Sequence, residues 1–520
     1  MKRISQLLFI LLLFVGLQPA SIAQDAVPEH FDQWVSDGLE EWGIPGITVG
    51  LVKDGEVILT QGYGIKKLSS GEPIDEHTQF GIASVSKHMT ATALGILVDR
   101  GEIEWDDRVI DHVPWFQLSD PHATATVTIR DLLTHQVGIG RMLGNRLQFM
   151  TKRGTEELLY RMRYHDFEQP FRSQYVYSNV MYTLAGHIIK EVTGLEFGEF
   201  LEEELFGPLG LSRTVSSIND LDEENAAWPH QEIKGEVVEI PRRNWDNAAP
   251  AGGVNSTAAD MARWMKFQLG TPGSYGDTEL VSAETMQAIQ TPKVSQNIGS
   301  VTAPQRSYGF GLSITEYNGQ RVLSHGGATD GFNTVFMIFP ELELGVIVIT
   351  NTFSSFQQAV ARTLIDHHLD SPGETDWNNL YRQNYLANYD RNMERREEFE
   401  AKRESGTSPT KPIIEYTGTY SNELYDNADV FLENGQLAIR FWDDEDMTAD
   451  LEHWHHDTFR VVWHNHALRE DLLSFRLGFD GDVESFDKQY ALRPAMLQVG
   501  TYPTDYYRIV NFEKTEEQPR

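Results

Sequence analysis

Ser84-Val85-Ser86-Lys87 sets a hydroxyl and an amine three residues apart, just ahead of a long apolar run. On a helix, positions three apart share a face, one turn away. A serine hydroxyl is a weak nucleophile until a base takes its proton, and a buried lysine with a depressed pKa can be that base. The spacing by itself carries little, because Ser408 to Lys411 and Ser485 to Lys488 repeat it. Context separates the three. Ser84 leads into Val85, Met89, Ala93, Leu94, Ile96 and Leu97, apolar on several faces as in a helix buried deep in a domain. Asp99-Arg100-Gly101 closes that helix with a cation and a glycine. Ser84 is thus expected at or near a helix N-terminus, where backbone N–H groups favour developing negative charge. Ser408-Pro409-Thr410-Lys411 lies in a charged, proline-bearing stretch that cannot be such a helix. Ser485-Phe486-Asp487-Lys488 falls in a strand-like alternation, which sends positions three apart to opposite faces.

Two further triplets follow in order. Tyr177-Ser178-Asn179 precedes a second apolar helix, Met181 to Val192, and His325-Gly326-Gly327 follows a strand-like segment, Arg321 to Ser324. The order S-x-x-K, Y-x-N, H-x-G resembles the penicillin-recognising serine hydrolases: class C β-lactamases, D-alanyl-D-alanine carboxypeptidases and lactamase-like esterases. Thr128 to His135, Pro250 to Ser256 and Tyr308-Gly309-Phe310-Gly311 look like the same family, so the resemblance spans roughly residues 28 to 370. Tyr420 to Asn422 and Tyr425 to Asn427 repeat Tyr-x-Asn outside that span, whereas His325 opens the one H-x-G of the chain.

The resemblance implies a role for each residue. Ser84 would be the nucleophile, Lys87 and Tyr177 would move protons, and Asn179 would touch both Lys87 and a substrate carbonyl. The N–H groups of Ser84 and Ala328 would form the oxyanion hole, with Gly326 and Gly327 letting the strand pass close to a ligand. His325 stands where many lactamases carry lysine. Imidazole is only partly charged at neutral pH, which weakens recognition of a substrate carboxylate and gives weight to ester and amide substrates. Each residue also has a structural reading: a helix cap for Ser84 or Asn179, an ion-pair partner for Lys87, a satisfied core phenol for Tyr177.

The net charge of −34 argues against nucleic acid or an anionic membrane as partner. There is no cysteine, which excludes disulfides and a thiol nucleophile. Residues 1–23 read as an export signal, with Lys2 and Arg3, an apolar stretch from Leu7 to Gly16, and Ser21-Ile22-Ala23 as the cleavage site. A periplasmic or secreted protein is expected, with no membrane span and a small-molecule or peptide substrate; the oligomeric state stays open. The chemistry calls for no metal or other cofactor. Glu452-His453-Trp454-His455-His456-Asp457, with His464 and His466 nearby, could gather ligands on one strand face, but surface histidines on a β-domain explain it as well.

The elements that would position these residues are legible in outline. Ile47 to Leu51 and Val57 to Thr60 flank Asp54-Gly55, a hairpin signal, and strands return at Ser307 to Ile314, Gln320 to Ser324, Asn333 to Phe339 and Gly345 to Thr350. Early and late strands with helices between them predict an α/β (α+β) domain over 28–370, one antiparallel sheet carrying a helical insertion. A charged linker or solvated helix is expected over 371–411, then a small all-β, barrel-like domain over 412–513, similar to the lipocalin-like domains appended to some lactamase-like hydrolases. The functional expectation is an exported serine hydrolase acting on an amide or β-lactam bond. A carboxylesterase on short acyl chains is the runner-up, and a non-catalytic ligand-binding protein the rival from another class.

Overall fold

The computed structural model describes residues 27–140, 152–233, 235–296, 305–369, 374–465, 468, 470–490 and 510–515. The expected export signal, 1–23, and His466 lie outside the described residues. No helix among them is long and apolar enough to cross a membrane.

Asp54 and Gly55 both take positive φ, 53° and 75°, which is the backbone a two-residue hairpin turn requires. They join Gly46–Lys53 to Glu56–Gly64. The first of these strands is buried along nearly its whole length and pairs on its other side with Leu344–Thr350, in the register Ile47 to Thr350 and Val49 to Val348. An antiparallel sheet of eight strands results, in the spatial order 56–64, 46–53, 344–350, 332–339, 320–329, 313–317, 307–308, 294–295. The early hairpin is thereby built into a sheet made mostly of late strands, as the sequence pattern implied.

Both faces of the sheet are covered, and the alternation along Leu344–Thr350 shows how. Val346 and Val348 pack with Phe356, Val360 and Leu364 of the helix Phe356–His367, and with Phe31 and Val35 of the helix Phe31–Trp42. Ile347 and Ile349 face the other way, into the core shared with Met261, Trp264 and Met265 of the helix Ala258–Leu269 and with the helix Ser86–Asp99. Every residue from Ser86 to Leu97 is buried. The helical lobe inserted between early and late strands includes Ile129–Leu133, Thr155–Arg161 and Asn179–Thr193.

Trp377–Glu400 forms a 24-residue helix with no buried residue, inside the segment expected as a charged linker or solvated helix. It is a strut. Its first half is tied to the sheet domain by Trp42 Nε1–H to Asn378 Oδ1 (2.7 Å) and by Arg382 to Glu41 (2.7 Å). Its second half is tied to the C-terminal domain by Arg396 to Glu470, Arg460 to Glu400, and Phe399 stacked on Trp454.

That C-terminal domain is a closed antiparallel barrel of eight strands, each paired with its neighbour in sequence, with Gly418–Asn422 pairing both Asp426–Glu433 and Val510–Lys514. Asn434-Gly435 makes one of its hairpin turns with both residues at positive φ. Phe475 lies at the centre of the aromatic interior, with ring centroids 5.0 Å from Tyr416, 5.6 Å from Phe459 and 5.7 Å from Phe486. The barrel also meets the helical lobe directly, where Asp426 accepts from Arg153 (2.9 Å) and lies 3.1 Å from Arg161, and Asp444 pairs with Lys152 (3.3 Å). Phe475→Ala is expected to cost the barrel about 3–5 kcal/mol, as truncation of a buried phenylalanine does. Urea unfolding followed by tryptophan fluorescence reads that loss as an early transition, and an unchanged midpoint would mean the ring is dispensable.

Candidate active site

The turn that carries Ser84 is held by a distant stretch of chain. Ser84 sits in a single 3-10 turn, Ala83–Val85, that runs directly into the helix Ser86–Asp99. Ala83 takes φ +50°, a conformation costly for a residue with a side chain, so the surroundings must hold it. Ser86 Oγ donates to Ala83 O (2.7 Å) and accepts from Val254 N–H (3.2 Å), and Thr90 Oγ1 donates to Pro250 O (2.7 Å). The stretch Pro250 to Ser256 is therefore a cradle for the turn. Gly252 belongs to it: a Cβ there would lie 3.5 Å from Ala83 C and 3.7 Å from Ser84 N.

Lys87 is fully buried, one turn beyond Ser84. Its Nζ donates to Ser84 Oγ (3.3 Å), Asn179 Oδ1 (2.7 Å) and Ala251 O (2.5 Å). Those are three neutral oxygens, matching the three donors of an ammonium. A neutral amine fits equally well, since two N–H bonds would remain on Asn179 and Ala251 with the lone pair on Ser84. Asn179 is the first residue of the helix Asn179–Thr193, and Tyr177, two residues earlier, donates its hydroxyl to Ser84 Oγ (2.9 Å). The Lys87 Nζ lies 4.9 Å from the Tyr177 ring centroid. Four of the expected site residues are thus in direct contact.

Tyr177 is held by a residue to which the sequence pattern assigned no role. A capping box between Thr128 and Asp131 starts the helix Ile129–Leu133, which delivers His135 at φ +58°. His135 then brackets Tyr177: Val176 N–H donates to its carbonyl (2.8 Å) and Ser178 N–H to its Nδ1 (3.1 Å). The two rings lie 4.4 Å apart. His135 falls within the stretch Thr128 to His135 that carried the family resemblance, so the signal was present without its meaning.

The third triplet is part of a strand and does not merely follow one. Gln320–Thr329 runs through His325, Gly326, Gly327 and Ala328 without a break, because all four keep pairing with Phe332–Phe339. Pairing on the other side stops at Ser324, opposite Ser313, which frees one strand edge from His325 onward. Gly327 is where this edge meets the turn that carries Ser84. A Cβ there would come within 2.4 Å of Ile82 O and 3.1 Å of Ala83 Cβ, whereas at Gly326 the nearest atom is Thr334 O at 3.8 Å. His325 is buried, with Nδ1–H donating to Gly326 O (2.6 Å) and Nε2 in hydrogen-bond contact with the Tyr308 hydroxyl (3.1 Å). Burial keeps the Tyr308 phenol protonated, far above its ordinary pKa. Ala328 is exposed on the strand edge.

The two repeats of S-x-x-K are elsewhere: Lys411 follows an irregular stretch, and Ser485 and Lys488 lie on one barrel strand. The histidines weighed as ligands have other contacts. His453 Nε2 meets His456 O (2.8 Å), His455 Nδ1 accepts from Glu404 N–H (3.3 Å), and a bulge separates His453 from His455.

Beside the turn opens a shallow cleft, lined among others by Gly252, Asn255, Arg243, Trp245, Thr329 and Phe332. Sequence reasoning missed Arg243 and Trp245, which belong to no motif.

The sequence profile described as Beta-lactamase matches residues 31–370, about two thirds of the chain. The chain belongs to the β-lactamase family. A second profile, a domain of unknown function (DUF3471), matches residues 402–499. Among curated relatives, the unguisins hydrolase ungD′ of Aspergillus campestris is 28% identical over 445 residues, covering 81% of this chain and 79% of the relative. The protein flp of Staphylococcus aureus is 26% identical over 340 residues, covering 63% and 64%. A solved structure described as the octameric penicillin-binding protein homologue from Pyrococcus abyssi superposes with a TM-score of 0.60 at 21% identity, over 93% of this chain and 99% of that one. That likeness extends the shared fold across the barrel. The protein is a serine hydrolase of the β-lactamase family.

The packing around the turn can be tested at two positions. Gly327→Ala should displace the turn that carries Ser84, costing about 1–3 kcal/mol and lowering kcat about 10²-fold, while Gly326→Ala leaves both nearly unchanged. Melting curves and turnover of a chromogenic substrate check the pair, and equal effects at both glycines would refute the contact. The second position is His88, next to Lys87, whose Nε2 accepts from Trp264 Nε1–H (3.2 Å). Burial, reinforced by His325, holds its pKa well below the ordinary 6.5. The unfolded chain therefore binds the proton first as pH falls below about 6.5, and His88 costs up to about 1.4 kcal/mol per pH unit there. His88→Gln keeps an acceptor for Trp264, so urea unfolding between pH 5 and 7.5 should show a shallower acid slope than wild type.

Proposed function

We propose that the protein is exported and hydrolyses an amide or β-lactam bond through an acyl-enzyme on Ser84. The observation that carries this reading is the convergence of Lys87 Nζ and Tyr177 Oη on Ser84 Oγ. A hydroxyl oxygen that accepts from two neighbours must direct its own proton elsewhere. Once either neighbour is deprotonated, that neighbour becomes the acceptor and the serine oxygen is ready to attack. In this scheme Lys87 and Tyr177 share the proton, Tyr177 hands it to the leaving group, and Asn179 keeps Lys87 in line while donating to the substrate. The N–H groups of Ser84 and Ala328 take the developing oxyanion, a role supported by the freed strand edge and the close approach at Gly327. No metal or other cofactor enters the scheme. A small-molecule or peptide substrate is assigned to the cleft beside Gly252, and the relative described as an unguisins hydrolase supports the hydrolytic class. The working divisions are a signal at 1–23, the hydrolase domain at 28–370, the linking segment at 371–411 and the barrel at 412–513. A periplasmic or secreted location goes with the first of these.

A second reading, a carboxylesterase on short acyl chains, is favoured by His325. Its two ring nitrogens are engaged by Tyr308 and Gly326 O, so neither is left open for a substrate carboxylate, whereas a neutral ester asks for no such partner.

One experiment separates the readings. Intact-protein mass spectrometry after brief exposure to a penicillin, a D-alanyl peptide or a p-nitrophenyl ester should show an acyl adduct, absent in Ser84→Ala. That variant should lose on the order of 10⁶-fold in kcat. Tyr177→Phe should bind substrate and acylate slowly. Adducts from neutral esters alone would favour the esterase, and Ser84→Ala retaining a tenth of wild-type turnover would sink both.

A further inference from the structure

Two turns along the helix that carries Asn179, three side chains form a cluster that the hydrolytic chemistry does not use. His187 and Glu191 stand four residues apart on the helix Asn179–Thr193 and share one face, and Glu156 reaches them from the helix Thr155–Arg161. One ligand atom from each lies within 4.8 Å of the others. His187 is 3% exposed, and its Nε2 is buried with no hydrogen-bond partner among the described residues. An orphaned imidazole nitrogen at such depth needs an explanation. That nitrogen lies 3.1 Å from Glu191 Oε1, yet the pair does not meet hydrogen-bond geometry. Two ligands of one ion stand in that relation: bonds of about 2.1 Å around a tetrahedral or octahedral centre put neighbouring ligand atoms about 3.0–3.4 Å apart.

We propose that Glu156, His187 and Glu191 bind one divalent transition-metal ion that pins the helix Thr155–Arg161 to the helix Asn179–Thr193. An imidazole with two carboxylates suits zinc or a similar borderline ion, whereas calcium and magnesium prefer all-oxygen shells. Glu156 is the ligand that must move. Its carboxylate is exposed and only 3.7 Å from Lys190 Nζ, which holds Glu196 more closely at 2.7 Å. Lys190 can therefore keep Glu196 while Glu156 swings about 1 Å toward the ion. Eight residues of helix separate His187 from Asn179, about 12 Å along the axis. The ion stays clear of Ser84 and acts on the helix that carries Asn179, with no part in turnover.

The test uses the full chain without an affinity tag, stripped with EDTA and desalted, and titrated with Zn²⁺ by calorimetry and thermal melting. Wild type should bind one equivalent more than Glu191→Gln or His187→Gln, and Glu156→Gln should weaken that equivalent tenfold or more. At a hundredfold excess over Kd, wild type should gain on the order of 5 °C in Tm, a gain the variants lose. Glu156 and Glu191 are exposed, so their variants keep the test valid if His187→Gln does not fold. Equal stoichiometry and equal melting gain in wild type and all three variants would overturn the proposal, as would the absence of any gain. Ca²⁺ binding as tightly as Zn²⁺ would overturn the assigned metal class.

Discussion

The arrangement around Ser84 depends on one buried amine. Lys87 Nζ is fully enclosed and meets oxygens from three parts of the chain: the Ser84 turn just before its own helix, the start of the helix Asn179–Thr193, and the carbonyl of Ala251. A nitrogen with that many partners at such depth is expensive to leave unsatisfied. Each partner is accordingly anchored by its own surroundings. Thr90 and Ser86 hold the Pro250 to Val254 stretch, His135 brackets Tyr177, and Gly311, at φ +79°, brings its backbone against His88 and Lys87 where a Cβ would clash at 2.7 Å. The strained Ala83 is the local cost of presenting Ser84 to a cleft while Lys87 stays dry.

The fold class was legible because both hairpin chemistry and strand alternation are local signals. Asp54-Gly55 and Asn434-Gly435 state their turns in two residues each, and an unbroken run of valine and isoleucine marks a strand buried on both faces. The residues grouped around Ser84 were legible for another reason: the order of three short motifs, and the family it resembles, singled out Lys87, Tyr177 and Asn179. Ala251 was not, because it acts through a carbonyl that any residue carries. His135 and Tyr308 act on Tyr177 and His325 through tertiary contact, so their type and position meant nothing until the chain was folded. The strand through His325 was drawn too short for a related reason. Two glycines weaken a strand on propensity grounds, and only the closeness of Ile82 O explains why Gly327 belongs there.

Charge is distributed with the same logic. A chain of net charge −34 concentrates arginine and lysine where its parts meet: Arg153, Arg161 and Lys152 face Asp426 and Asp444 of the barrel, and Arg396 and Arg460 tie the long helix to it. Such pairs contribute little singly at a surface, about 0–1 kcal/mol, but they set orientation. The barrel is thus placed against the helical lobe through directional contacts, with a strut of 24 residues spanning the remainder.

The central sheet has a consequence for synthesis. Ile47 pairs with Thr350, roughly three hundred residues later, so the almost wholly apolar strand Gly46–Lys53 leaves the ribosome long before its partner exists. An unpaired apolar strand is a template for aggregation. The Asp54-Gly55 turn supplies an immediate neighbour, Glu56–Gly64, whose first residues are exposed and polar-edged, and one side of the vulnerable strand is covered within a few residues of its emergence. The other side must wait for Leu344–Thr350, which makes this nascent hairpin the segment a chaperone would have to guard.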